Sequence, residues 1–237
     1  MKWAMKWALF LSLVPLAVLA QEPRELIGKV GTRSALLILH AAQRPDGSAQ
    51  VAGEYVILPT LARRFLQGER SPELGVTVLK EGATPILFGR PPLAELKGTW
   101  REGAFKGTRF GPGGQKREEF KFSEDFPSLE NHSATVRCEA KEARYRSRLS
   151  LVIDKGRLKS LDWRVVEPGG QACSVVATEQ EPMRGGLRFV AGACRITLRD
   201  AGEFLALRAE NCAAHCEAEA HMVWLFIDRR GNCELLP

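Results

Sequence analysis

The chain has 237 residues and a formal net charge of +6, with 34 Lys and Arg against 28 Asp and Glu. That length suits one large or two small domains. Acids and bases are interspersed and no Lys/Arg block carries interleaved aromatics, which argues against nucleic-acid binding. A mildly basic balance favours anionic headgroups, polyanions or acidic proteins, and also serves plain solubility.

The opening MKWAMKWALFLSLVPLAVLAQEP predicts a secretory signal peptide over residues 1–20. Lys2 and Lys6 form a positive start, Ala8 to Ala20 an uncharged apolar run, and Val18-Leu19-Ala20 a small-residue cleavage site. The run is short for a membrane span. No cysteine follows the cleavage point to carry a lipid, and Met5 is an alternative start within the repeated MKWA. No later stretch approaches about 20 uninterrupted apolar residues. The expectation is a protein released into a bacterial periplasm or secreted, without a transmembrane segment. Loss of the two leader lysines lowers the net charge from +6 to about +4.

Short strand patterns follow. SALLILHAAQ from Ser34 turns at Asp46-Gly47 and returns as VAGEYVILP from Val51, a hairpin signature. LGVTVLKEG, PILFGR, ELKGTWREG, FKGTRFG and REEFKFSE continue the series to Glu124, with Gly, Pro and charged residues between them. Only ARRFLQGER, from Ala62, reads as a possible helix. Gly53, Gly98 and Gly107 sit inside strand patterns, as glycines do where sheets curve strongly. Alternation puts Phe105, Gly107 and Arg109 on one face and Lys106, Thr108 and Phe110 on the other. GPGGQKREE from Gly111 lacks the Lys-Ser/Thr step of a phosphate loop and reads as a wide hairpin loop.

Gly53-Glu54-Tyr55, Leu79-Lys80-Glu81-Gly82 and Lys97-Gly98-Thr99-Trp100 form a G-x-Y, KEG, G-T-W series. In this it resembles uncharacterised exported bacterial β-rich proteins with a β-meander half. The resemblance covers roughly residues 28–126 and implies an envelope β-protein, with no catalytic residues.

All six cysteines, Cys138, Cys173, Cys194, Cys212, Cys216 and Cys233, lie in the last hundred residues. An even count in an exported chain reads first as disulfides. YRSRLSLVID and RLKSLDWRVVE alternate around Lys155-Gly156 and form the clearest hairpin. Cys138 and Cys173 are equidistant from its turn, so they are expected to pair. Cys194 and Cys212 flank a second hairpin, RITLRD and EFLALRAE, almost symmetrically; pairing them leaves Cys216 with Cys233, and two other connectivities stay open. MVWLFID, from Met222, reads as a central strand. NCAAHCEAEAH also offers an alternative metal set, Cys212, His215, Cys216 and His221, although its spacing lacks a regular second ligand pair. Glu217 and Glu219 read as a solvated edge. No motif calls for a cofactor.

These observations predict an all-β, mainly antiparallel protein. A meander or small barrel spans 21–126, a linker 127–137, and a disulfide-stapled β domain 138–237. The function expected is non-enzymatic binding or structural support in a bacterial envelope, with an unknown protein or an anionic envelope component as partner. Aromatic and arginine residues are enriched at binding hot spots, which nominates Tyr55, Trp100 and Phe110 with the nearby bases Arg101, Lys106 and Arg109. The alternatives are an inhibitor of a lysozyme or protease, and a metal- or thiol-dependent enzyme centred on Cys212 to His221. Basic lysozymes would be repelled by a basic partner without a local acidic patch.

Overall fold

A computed structural model of the chain describes residues 23–58, 60–85, 91–218 and 220–236. The leader, most of PILFGR and Glu219 lie outside the described residues. The fold is almost entirely antiparallel β-structure in three stacked parts.

The N-terminal half closes into an eight-stranded barrel. Its strands are β1 (Arg24–Val30), β2 (Arg33–Gln43), β3 (Ala49–Ile57), β4 (Ala62–Arg70), β5 (Val76–Gly82), β6 (Ala94–Arg101), β7 (Ala104–Phe110) and β8 (Arg117–Ser123). Each pairs with the next, and β1 returns to pair with β8, Gly28 opposite Phe122. Closure leaves no free sheet edge. Strand alternation sends Leu26, Leu37, Leu79, Leu96, Phe105 and Phe122 inward, where all are fully buried. Lys29, Lys80, Lys106 and Lys121 stay exposed on the outside. This is the reverse of the transmembrane barrel pattern, in which apolar side chains face outward. Gly98 and Gly107 face each other across β6 and β7. A Cβ on Gly107 would sit 2.0 Å from the Lys97 carbonyl oxygen, and one on Gly98 would meet the rings of Phe105 and Phe120 at 2.7 Å. The glycines thus make room for the aromatic filling of a narrow barrel.

The possible helix over Ala62–Arg70 is a strand, β4. β3 offers it a hydrogen-bonded edge along its length and β5 over residues 65–70, with Gly53 opposite Leu66 and Gly68 opposite Leu79. Pairing on two sides outweighs a weak local helical preference.

The C-terminal half is a two-sheet sandwich. One sheet, in the order β12-β11-β10-β9, holds β9 (Ala134–Glu142), β10 (Tyr145–Asp154), β11 (Arg157–Val166) and β12 (Ala172–Ala177). The expected linker therefore ends inside a strand. The other sheet runs in chain order through β13 (Glu179–Glu181), β14 (Leu187–Ala191), β15 (Cys194–Asp200), β16 (Phe204–Glu210), β17 (Trp224–Asp228) and β18 (Cys233–Leu236). Leu149, Leu151, Trp163, Phe189, Ile196 and Leu225 fill the space between the sheets. Trp163 is fully buried and donates its indole N–H to Ser147 Oγ at 3.0 Å.

The six-stranded sheet is the middle layer. Its second face carries Phe204, Ala206, Trp224 and Phe226 against Leu36, Ile38, Val56 and Leu58 of the barrel. This contact joins the halves, and it explains why MVWLFID is continuously apolar. β17 lies between β16 and β18 and buries Leu225 in the sandwich and Trp224 and Phe226 under the barrel.

The disulfides are Cys138–Cys233, Cys173–Cys216 and Cys194–Cys212. The expected Cys138–Cys173 bond is not formed. β9 and β12 each fold back on the outer side of the central hairpin, so Cys138 lies beside Leu149 and Cys173 beside Val165, at opposite edges of the sheet. Cys138 instead bridges to Cys233 on β18 of the facing sheet, and Cys173 to Cys216 in the loop between β16 and β17, which pairs beside it. Cys194–Cys212 closes its hairpin as the symmetric spacing suggested.

Candidate functional site

The nominated binding residues separate. Tyr55, Trp100 and Arg109 sit on inward-facing positions of the barrel, whereas Arg101, Lys106 and Phe110 lie on its outer wall. Tyr55 is 1 % exposed and donates to Glu81 Oε2 at 2.7 Å. Arg109 forks onto the same carboxylate, Nε to Oε2 at 2.7 Å and Nη2 to Oε1 at 2.9 Å, and also meets Glu118 at 2.8 Å. Burial and the Glu81 charge push the Tyr55 phenol above its ordinary value, and the Glu81 hydrogen bonds raise Arg109. Tyr55 and Arg109 are thus brought together as part of a satisfied buried ion network, away from any exposed contact surface. Trp100 stacks on Phe105 at 5.1 Å, with the Arg24 guanidinium 4.2 Å from its ring centre, at the opposite end of the barrel.

The alternative metal set is dispersed by the disulfides. Cys212 is bonded to Cys194 and Cys216 to Cys173, so neither offers a thiolate. His215 Nε2 lies 3.0 Å from the Ala191 carbonyl, and His221 Nδ1 lies 2.7 Å from Glu167.

A different site lies where the barrel overhangs the middle sheet. The barrel covers β16 and β17 and leaves the same face of β13, β14 and β15 open. Glu181, Arg188, Thr197 and Arg208 are directly opposite one another in four successive strands. Arg195 and Arg199 flank Thr197 on β15. Glu25 and His40 form the barrel wall, enclosing a cleft of about 810 Å³ with an adjoining lobe of about 330 Å³ beside Trp224. This volume is in the range of small-molecule sites. Adjacent strands are about 4.8 Å apart, so Arg188 and Arg208 stand roughly 10 Å apart with a short threonine between them.

Glu25 accepts from Arg199 Nε at 2.9 Å and pairs with Arg208 Nη1 at 3.1 Å. Arg208 also pairs with Glu210, and Arg195 with Glu181 at 3.5 Å. Among the described residues Arg188 makes no ion pair, and its Nε is buried without a hydrogen-bond partner. Burial pulls the Arg208 guanidinium below the ordinary arginine value, and its neighbours Arg199 and Arg188 add to this while Glu25 and Glu54 oppose it. Glu25, Glu210 and Glu181 compensate Arg199, Arg208 and Arg195, so Arg188, beside the Thr197 hydroxyl, is the cleft guanidinium placed to take an oxyanion, which it can grip bidentately.

Sequence reading found this hairpin but missed its arginines. The usable signal was alternation: Arg195, Thr197 and Arg199 occupy one face of a strand whose other face, Ile196 and Leu198, is fully buried. Comparison with known proteins gives no further guide: no family model, no curated protein and no solved structure matches the chain.

Proposed function

We propose that this is an exported, non-enzymatic binding protein of a bacterial envelope whose ligand presents a phosphate or carboxylate group to the arginine cleft. The observation that carries the proposal is Arg188, a buried guanidinium nitrogen without a partner, aligned with Arg208 across a cleft of ligand size. Leaving a buried donor unsatisfied is costly, and an anion in the cleft would relieve it. The export half of the reading rests on the leader-like N-terminus and on cysteines that are all bonded, as oxidising compartments favour. The expected anionic envelope partner fits the same chemistry.

The test is isothermal titration calorimetry with pyrophosphate and citrate as probes. One of them is expected to bind, and Arg188→Gln should weaken it by about tenfold or more, the loss of one hydrogen bond to a charged group. Absence of heat with either probe at millimolar concentration, or unchanged affinity in the variant, would overturn the assignment.

A further inference from the structure

The outer wall of the barrel on the side of β7 and β8 carries a row of like charges. Lys29 on β1 lies directly opposite Lys121 on β8, and Lys121 directly opposite Lys106 on β7. All three are exposed, and among the described residues none makes an ion pair. Arg101 extends the positive field onto β6, where Lys97 is paired with Glu95 at 2.9 Å, and Glu119 is the acid beside the row on β8. Like charges directly opposite in a sheet destabilise it. The outer face of the four-stranded sheet also sets bases opposite one another: Arg148 and Arg164 share their row with Glu139, and Arg146 lies opposite Lys141 as a single pair. The lysine row has no acid in it. Phe110, on the same wall, is flanked by Lys97 at 5.6 Å and Arg117 at 5.5 Å from its ring centre.

We infer that this wall docks the protein onto an anionic lipid bilayer. Three features favour a headgroup layer over a protein or a linear polyanion. The cations spread in two dimensions, across strands about 4.8 Å apart and along them. The wall is the convex outside of a barrel, which a planar surface can meet. Protein interfaces concentrate apolar and aromatic groups at a centre depleted of charge, whereas this wall offers a single aromatic ring among charged side chains, Lys97, Arg117 and Glu95. Lysine suits the task, because a compact, mobile point charge follows a fluid array of headgroups. Phe110 can then rest at the interfacial depth. The surface is separate from the arginine cleft, which opens beside β13–β15, so the inference stands whether or not the cleft binds an anion.

The experiment is co-sedimentation of the full chain with phosphatidylcholine vesicles containing 30 % phosphatidylglycerol. Pure phosphatidylcholine vesicles and soluble dextran sulfate serve as comparisons. Binding to the anionic vesicles is expected, with loss at high salt, where screening shortens to about 3 Å. Each surface cation contributes about fivefold to partitioning, so Lys29→Ser/Lys106→Ser/Lys121→Ser should weaken binding on the order of a hundredfold. A second variant removes the same charge elsewhere, Arg146→Ser/Arg148→Ser/Arg164→Ser, and should keep most of it. No binding to anionic vesicles overturns the inference. So does equal loss in both variants, which would assign the attraction to net charge, or dextran sulfate displacing the vesicles at matched charge, which would assign the wall to a soluble polyanion. Circular dichroism and an intact mass with three disulfides establish that each variant is folded.

Discussion

Glu81→Gln should be among the most destabilising isosteric changes in the barrel. Glu81 is fully buried and holds Tyr55 and both forks of Arg109, with Arg64 at 3.6 Å. Glutamine keeps the volume and one acceptor oxygen but places an NH2 group against a donor and removes the negative charge. Arg109 keeps Glu118, so its guanidinium is left half compensated with its side chain only 14 % exposed. Breaking a buried pair from one side costs about 3–5 kcal/mol; the surviving Glu118 contact puts this case near the lower end, at about 3 kcal/mol. With a urea m-value of about 3 kcal/mol/M, the unfolding midpoint falls by about 1 M. The assay is urea denaturation followed by circular dichroism, with the disulfides intact. Removing both charges and the phenol hydroxyl in Glu81→Met/Arg109→Met/Tyr55→Phe should recover most of the loss, because the apolar set leaves neither an uncompensated ion nor an orphaned buried donor, and Glu118 keeps Arg33. A loss under about 1 kcal/mol for Glu81→Gln would refute the view that this network is the polar anchor of the barrel.

Three further outcomes are expected. Replacing Cys138 and Cys233 together by serine opens a bridge of sequence separation 95, for which chain entropy gives up to about 4–5 kcal/mol; the pairing itself is checked by a non-reducing peptide map. Thr77→Val should stabilise the barrel by about 1 kcal/mol in thermal denaturation, because the buried Thr77 hydroxyl has no partner and valine has the same shape. Partial burial, then the Arg208 charge, lowers the His40 imidazole, with Glu54 opposing. The unfolded chain therefore binds this proton more tightly than the folded one, and stability should fall as pH drops below about 6.5, the unperturbed histidine value. His40→Gln should flatten that part of the stability profile; an unchanged slope would remove His40 from the account.

What was readable locally came from period-two alternation. Phe105, Gly107 and Arg109 do share the inner face of β7, and Leu149, Leu151 and Trp163 do face the sandwich. Turn chemistry was equally readable: Asp46 accepts from the amide and hydroxyl of Ser48, and these bonds hold its carboxyl below the ordinary value. β1 was not recognised as a strand, because its seven residues RELIGKV mix charge and apolar character, yet it closes the barrel. Tyr55 and Arg109 were singled out as surface contacts because a sequence shows residue type without showing which face a closed sheet turns inward. The Cys138–Cys173 error has the same root. Equal spacing from a turn describes one hairpin, and the next strand on either side moves outward by one position.

The sequence by itself determined strand alternation, the turns and an even set of cysteines, since these follow from backbone geometry within a few residues. Only the tertiary structure decided which strands close on which, which cysteines meet, and that Arg188, Thr197 and Arg208 align beneath an overhanging barrel. The physical reason is that hydrogen-bond pairing between strands is chemically uniform along the chain. The choice among pairings is made by burying apolar faces such as Trp224 and Phe226 against Leu36 and Ile38, residues far apart in the chain, and the desolvation that makes the arginines a site arises from that same contact.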